Sequence, residues 1–308
     1  MRFVCLAACF MLALPISAFA QSLPSQAMRN AAPIDPVDDF YIPGTSVTPL
    51  LLAEWDVDNG RGGKTVEIDW GKEAVDKAPA NASRYEQKSF IFPTGTIRVM
   101  EFKKAKGGMI HMISVETALF VLKGSGTVEV AGKTVEINEG DVVSYPSGVL
   151  RGTGDATIIA WTTTGTVNNE AAKATVVRAA DAPSTDSAEW DEGGKRVRAN
   201  TPEALAKAPA DAIRLNVKRY NFDGNSVRVA RNKKGGPTSP TSGTQDNLIY
   251  VASGHLRFFH DDKAVEAVPG DALREVAGST HHWYRIEDSM FIATSSMPVV
   301  PMPPAKAK

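Results

Sequence analysis

The sequence predicts an all-β protein built from two tandem β-barrels or sandwiches, on three observations. Short β-branched or aromatic runs recur along the chain, separated by Gly, Lys and Asn turn signals. The same words appear twice at one constant spacing. No long helical period interrupts them.

The repeat is direct. Ala53-Glu54-Trp55-Asp56 returns as Ala188-Glu189-Trp190-Asp191, Gly62-Gly63-Lys64 as Gly193-Gly194-Lys195, and Lys77-Ala78-Pro79-Ala80 as Lys207-Ala208-Pro209-Ala210. At an offset of 130, Arg84 matches Arg214, Lys88 matches Lys218 and Phe90 matches Tyr220. The same offset pairs Arg98-Val99 with Arg228-Val229, Phe120-Val121 with Tyr250-Val251, Gly124 with Gly254, and Gly140-Asp141 with Gly270-Asp271. The offset drifts only at the N-terminal edge, where loops gain or lose residues.

In the first copy, strands are expected at Thr96–Met100, Ala118–Leu122, Thr127–Val130, Thr134–Ile137, Val142–Tyr145 and Thr157–Thr162. Thr127-Val128-Glu129-Val130 and Thr134-Val135-Glu136-Ile137 alternate polar and apolar residues, and Ala131-Gly132-Lys133 joins them as a hairpin. The second copy offers His255–His260, an Asp261-Asp262-Lys263 turn and Ala264–Val268. One short helix is expected at Thr201–Lys207, where Thr-Pro-Glu supplies a start signal.

The chain of 308 residues, with 43% hydrophobic and 22% charged residues, has the material for two ordinary cores. A formal net charge of −1, with both signs dispersed, gives no basic footprint for nucleic acid and no polybasic patch for an anionic membrane. Residues 1–20 read as a signal peptide: Arg2, an apolar run from Phe3, then Ala18-Phe19-Ala20, with cleavage expected after Ala20. Leu6-Ala7-Ala8-Cys9 has the form of a lipoprotein box, but too few residues precede Cys9 and the apolar run continues past it. A stretch this short does not span a bilayer, so no membrane insertion of the mature form is expected. Cys5 and Cys9 are the only cysteines and fall within the removed segment. The mature chain would therefore carry no disulfide and no thiolate ligand. A periplasmic or secreted location follows.

The expected organisation is a signal peptide over 1–20, an extended arm over 21–48, a first barrel over 49–170, a linker over 171–186, a second barrel over 187–298 and a Pro-rich tail over 299–308. Residues 235–247, rich in Gly, Pro, Ser and Thr, read as a loop at a barrel mouth. That loop could be a lid or a surface loop without a role.

Each copy holds a strand ending in Gly, a hairpin, and Gly-Asp sixteen residues after that Gly: Gly124 with Gly140-Asp141, and Gly254 with Gly270-Asp271. Pro146-Ser147-Gly148 follows in the first copy. This pattern resembles the cupin superfamily, small jelly-roll β-barrels with motifs of the form G-x5-H-x-H-x3-4-E-x6-G and G-x5-P-x-G-x2-H. The resemblance covers residues 96–165 and 226–296 and implies a bicupin, two tandem jelly-roll barrels. It also implies three His and one Glu as ligands for Fe, Mn or Zn. Position by position, the first copy has His111, Ile113, Thr117 and Arg151, with Glu116 one residue before the Glu position. The second has Thr241, Gly243, Asn247 and His281. A metal of this kind needs about three to four converging N or O donors. His281 with Asn247 makes two, so no resident metal is expected, and Fe, Mn or Zn in the second barrel is a residual alternative.

The remaining candidates follow from chemistry. His281 is placed as a general base or ligand contact, a neutral His being the usual acid–base group near pH 7, or as a hydrogen-bonded structural residue. Only one of His281 and His282 can face the interior. Asn247, Tyr250, His282, Trp283, His111 and Arg151 complete the ligand-binding candidates, Trp283 favouring a sugar ring or an aromatic group. Arg151 could hold an anion or pair with Glu116. His255 and His260 read as solvent-side or hairpin residues. Arg98 and Arg228, being repeated, suit a structural salt bridge. The functional expectation is an exported bicupin that binds a small organic ligand in the second barrel, the first being mainly structural. The alternative is a cupin-type enzyme, either a metal-independent isomerase or lyase using His281 or a metal-dependent oxygenase. Homodimerisation, common in this superfamily, is open.

Overall fold

The computed structural model describes residues 39–58, 64–102, 109–112, 118–130, 133–144, 148–152, 155–163, 175–193, 195–222, 225–235 and 241–296. The expected signal peptide and C-terminal tail lie outside these residues. Among the described residues no helix is long and apolar enough to cross a membrane.

Each copy folds as a jelly roll of one large and one small antiparallel sheet. The first large sheet runs Thr175–Val177, Val142–Ser144, Ala118–Lys123, Ala156–Thr163, Gly95–Phe102, Ser83–Phe92, Leu50–Asp58, Lys64–Trp70. The second runs Tyr41–Ile42, Ala272–Glu275, Asn247–Ser253, Ser289–Ser296, Asn225–Asn232, Ile213–Phe222, Ser184–Glu192, Lys195–Ala199, in the same topology. The small sheets are Met109–Met112, Gly148–Gly152, Ser125–Val130, Lys133–Asn138 and, in the second domain, Thr241–Ser242, Thr280–Arg285, Leu256–His260, Lys263–Ala267. The expected strands are all present with ends shifted by one or two residues. The repeated Ala-Glu-Trp-Asp words, and Lys64 and Lys195 of the repeated Gly-Gly-Lys words, which the sequence left without an element, lie in the N-terminal hairpin of each domain.

The expected helix forms at Pro202–Lys207. Thr201 caps it by accepting from the Ala204 N–H at 3.3 Å, and Pro202 occupies the first turn, where its missing N–H costs nothing. Its counterpart Lys72–Lys77 begins at Gly71 with no side-chain cap, so nothing local announced it.

The two copies of the framework glycine have one cause. Gly124 and Gly254 adopt φ of +81° and +80°, and a Cβ there would sit 2.2 Å from the Asp155 carbonyl oxygen and 2.1 Å from that of Asp288. Only Gly tolerates both the left-handed backbone and the approach of the next strand.

Alternation along the large sheets buries both faces. The inner face of the first domain packs Leu119, Val121, Met100, Phe102, Leu150 and Ile158. The inner face of the second packs Ile249, Val251, Phe258, Leu273, Trp283 and Ala293. The outer faces of the two large sheets meet in one shared core, with Phe90, Ile97, Val99, Phe120 and Trp161 against Tyr220, Val227, Val229, Leu248 and Ile292.

The N-terminal strands are exchanged. Tyr41–Ile42 precedes the first domain yet pairs with Ala272–Glu275 of the second. Thr175–Val177 precedes the second domain yet pairs with Val142–Ser144 of the first. The segment expected to be an extended arm thus buries Phe40, Ile42 and Val47 to 4% exposure or less. The Gly-Asp pair repeated in the sequence clasps each exchanged strand. Asp271 accepts from the Gly44 N–H at 2.7 Å and the Tyr41 hydroxyl at 3.0 Å. Asp141 accepts from the Ala179 N–H at 2.8 Å and Arg178 Nη1 at 2.8 Å. The repeated lysines complete the clasp, Lys88 donating to the Gly44 carbonyl at 2.9 Å and Lys218 to that of Ala179 at 2.7 Å.

Candidate functional site

The inner face of the second domain gathers the polar residues that the strand phases send inward. In Leu256–His260 and Thr280–Arg285, the alternate residues Leu256, Phe258, His260, His281, Trp283 and Arg285 are buried. Register sets His260 opposite His281 and Phe258 opposite Trp283. Directly opposed residues of an antiparallel pair share a face, so the two imidazoles lie side by side against an aromatic wall. The Phe258 and Trp283 centroids are 4.3 Å apart, Trp283 stacks on Phe291 at 5.5 Å, and the Arg285 guanidinium lies 4.8 Å over the Trp283 ring.

Glu275 is the hub of the polar groups. Its carboxylate accepts from Asn247 Nδ2 at 2.6 Å and from Trp283 Nε1 at 3.1 Å, and lies 3.5 Å from His281 Nε2. Asn247 in turn accepts from the Ser295 hydroxyl at 2.6 Å. The Nδ1 atoms of His260 and His281 are buried without a hydrogen-bond partner among the described residues. Buried polar atoms of this kind are costly unless water or a ligand meets them. Desolvation lowers the pKa of His260, only partly offset by Asp261 and Asp39. A cavity of about 400 Å³ borders His260, lined also by Asp39, Phe40, Lys263 and Val276. Beside the cluster, Asp246 receives both Nε and Nη2 of Arg274, at 2.9 and 2.7 Å, and the Ala277 N–H at 2.6 Å. Burial pushes the Asp246 pKa up, but these donors with the Thr94 hydroxyl outweigh it and hold the carboxyl below its usual range.

The structure brings together three of the sequence candidates, Asn247, His281 and Trp283. Tyr250 and His282 lie elsewhere. Tyr250 is out of phase with Asn247 and packs edge-on to Phe90, 6.2 Å away, in the interdomain core. His282 points away from His281 and stacks on Phe259 at 4.1 Å. For His111 and Arg151 only the backbone is described: His111 pairs with Val149 and Arg151 with Met109, while Ile113 and Thr117 lie outside the described residues. His260 is a hairpin residue, paired with Lys263 across the turn, but it faces inward at 7% exposure and not the solvent, whereas His255 pairs with Glu266 at 2.9 Å on the outer side.

Glu275 escaped the sequence reading because the cupin motif assigns no ligand to the residue preceding its Pro position. Phase was the available signal. In Ala272–Glu275, Glu275 is in step with the buried Leu273. The donor set does not fit a three-His, one-Glu metal. Gly243, at the second His position, offers no donor, and a Cβ there would lie 3.5 Å from the imidazole of His281. Both Glu275 oxygens already meet neighbouring groups. Among the described residues no three His, Cys, Asp or Glu side chains converge as a metal site would require.

No protein-family profile and no curated protein matches the chain by sequence. Solved structures do match by shape. AerE from Microcystis aeruginosa superposes with a TM-score of 0.52 at 8% identity, over 84% of this chain and 100% of its own. Streptomyces albus HEPD, solved with 2-hydroxyethylphosphonate and Fe(II), gives a TM-score of 0.52 at 10% identity, over 82% of this chain and 77% of its own. A cupin 2 conserved barrel domain protein from Leptotrichia buccalis lies further off, with a TM-score of 0.39 at 12% identity, over 68% of this chain and 86% of its own. At these identities the likeness is one of fold alone, and that fold is the pair of jelly rolls described above.

Proposed function

We propose that this is an exported bicupin that binds a small organic ligand inside its second jelly roll, with the first domain as scaffold. The observation that carries the reading is the pair of buried imidazoles, His260 and His281, each with Nδ1 unpartnered among the described residues and set against Phe258 and Trp283. An apolar wall with a few converging polar groups is the usual make-up of a small-molecule site. The Trp283 face favours a ring-bearing ligand. Export is supported by the N-terminal segment, and the intact mass of the protein recovered from the periplasm tests cleavage after Ala20.

The test is a screen of ring-bearing small molecules by thermal shift on wild type and His281→Ala. A ligand that stabilises wild type and not the variant supports the site. Equal shifts in both would remove His281 from it.

A second reading, proton-transfer catalysis, is favoured by the 3.5 Å approach of Glu275 to His281 Nε2. A carboxylate beside an imidazole fixes its tautomer and stabilises the imidazolium formed when it takes a proton. A turnover that persisted in His281→Ala would end this reading.

A further inference from the structure

The two domains are an internal control for one another, and they differ sharply in charge at one place. In the first, Arg98 lies on the inner face, between Ile97 and Val99 of the interdomain core and in phase with Met100 and Phe102. It is partly buried and compensated. Tyr85 and Glu54 act on it favourably, the Tyr85 hydroxyl donates to Glu54 at 2.6 Å, and the residue directly opposite is Ser89.

The second domain keeps the Arg and loses the compensation. Arg228 occupies the Arg98 position, Leu215 replaces Tyr85, and the residue opposite is Arg219 instead of Ser89. Two guanidinium groups therefore sit on directly opposed positions of one sheet face, an arrangement that costs stability. Glu189, equivalent to Glu54, is engaged by Arg198 at 3.5 Å, where the first domain pairs Ile68 across from Glu54. Burial, then Arg228 and Arg198, depress the Arg219 pKa. Among the described residues neither Arg219 nor Arg228 makes a side-chain hydrogen bond or ion pair, and Arg228 Nε is buried without a partner. The same face holds Ala293, directly opposite Arg228, and one step along the strands Ser295, which leads through Asn247 to Glu275.

We propose that Arg219 and Arg228 form an oxyanion subsite, so that the ligand of the second domain carries a carboxylate or phosphate group. Two guanidinium groups without a partner among the described residues offer forked donors that match either anion. The inference rests on the small-molecule reading above and specifies the charge of what is bound. Arg198, half-exposed beside Glu189, adds to the positive field.

The experiment compares inorganic phosphate, benzoate and its neutral counterpart benzyl alcohol by thermal shift and Trp fluorescence, at fixed ionic strength to remove general screening. The proteins are the full chain, Arg219→Ser, which installs the first domain's residue, and Arg219→Lys. Phosphate or benzoate should stabilise wild type, Arg219→Ser should weaken that binding at least tenfold, and Arg219→Lys should retain part of it. Ligand-free Arg219→Ser should melt above wild type, since it removes a like-charge opposition. Anion binding unchanged in Arg219→Ser, or no response to either anion, overturns the subsite. If benzyl alcohol binds through His281 while both anions fail, the subsite falls and the ring-binding site stands. A melting temperature below wild type for Arg219→Ser marks Arg219 as a structural residue and also overturns it.

Discussion

Asp271 of the second domain accepts the backbone N–H of Gly44, in the turn that follows the exchanged strand Tyr41–Ile42, at 2.7 Å. Asp141 does the same for Ala179 in the opposite direction. The clasp explains why Gly-Asp is repeated so faithfully. It ties each jelly roll to the strand that belongs to its partner, so the two domains are expected to unfold together. Asp271→Ala strands the buried Gly44 N–H and frees Tyr41 and Val268 as well. Losing hydrogen bonds to a charged acceptor costs about 1.5–3 kcal/mol. Urea denaturation should show a loss of about that size, still in one transition. A wild-type midpoint would refute the clasp.

The interdomain core carries a matching aromatic exchange. Phe90 meets Tyr250 at 6.2 Å, and Phe120 meets Tyr220 at 6.3 Å, so each domain contributes one ring to each pair. Burial, followed by Asp141 for Tyr220 and by Glu101 and Asp271 for Tyr250, pushes both phenols up to about 12. A raised folded-state pKa gives stability that is complete below the unfolded value of about 10 and is lost as pH rises through the folded value. The melting temperature should therefore fall between pH 10 and about 12. Tyr220→Phe with Tyr250→Phe should flatten that fall. An unchanged slope in the double variant would show that other groups govern it.

At the acid end the relevant group is His260. Burial depresses its pKa, and His281 and Arg274 act in the same direction, while Asp261 and Asp39 oppose them. A depressed histidine is neutral in the fold and takes up its proton first in the unfolded chain. Its share of stability is present above about pH 6.5 and is lost as pH falls through the folded value. His260→Gln keeps a polar side chain without that titration, at the cost of the 4.4 Å stacking on Phe40. It should lower stability at pH 8 and reduce the additional loss between pH 6.5 and 5. Parallel pH profiles for the two proteins would count against His260 as the source.

What the sequence made legible is what is local or repeated. Strand alternation and the constant offset expose both jelly rolls, and Gly124 and Gly254 declare themselves because no other residue fits their turns. The strand exchange carries no local signal. Phe40 and Ile42 sit among Pro, Asp and Gly and acquire meaning only from the distant Ala272–Glu275. The site was half visible for a related reason. Asn247 and His281 stand at motif positions, whereas Glu275 and His260 are recruited by phase and cross-strand register. Tyr250 and His282 show the converse, being close in sequence to the site and on the wrong face of their strands.

The hub role of Glu275 gives the most specific expectation. Its carboxylate satisfies the Asn247 amide and the Trp283 indole and approaches His281. Glu275→Gln preserves size and one acceptor oxygen but turns the other into a donor facing donors. Glu275→Ala leaves the Trp283 N–H and one Asn247 N–H unpaired in a half-buried setting, each worth about 1–3 kcal/mol. Both variants should lose stability, alanine more, and both should shift the Trp283 emission maximum. Trp161 and the other tryptophans are remote from Glu275 by sheet placement, so Trp283→Phe in the same background should abolish the shift. If Glu275→Gln is as stable as wild type with unchanged emission, the carboxylate is not what organises His281, and the case for His281 as an acid–base group fails with it.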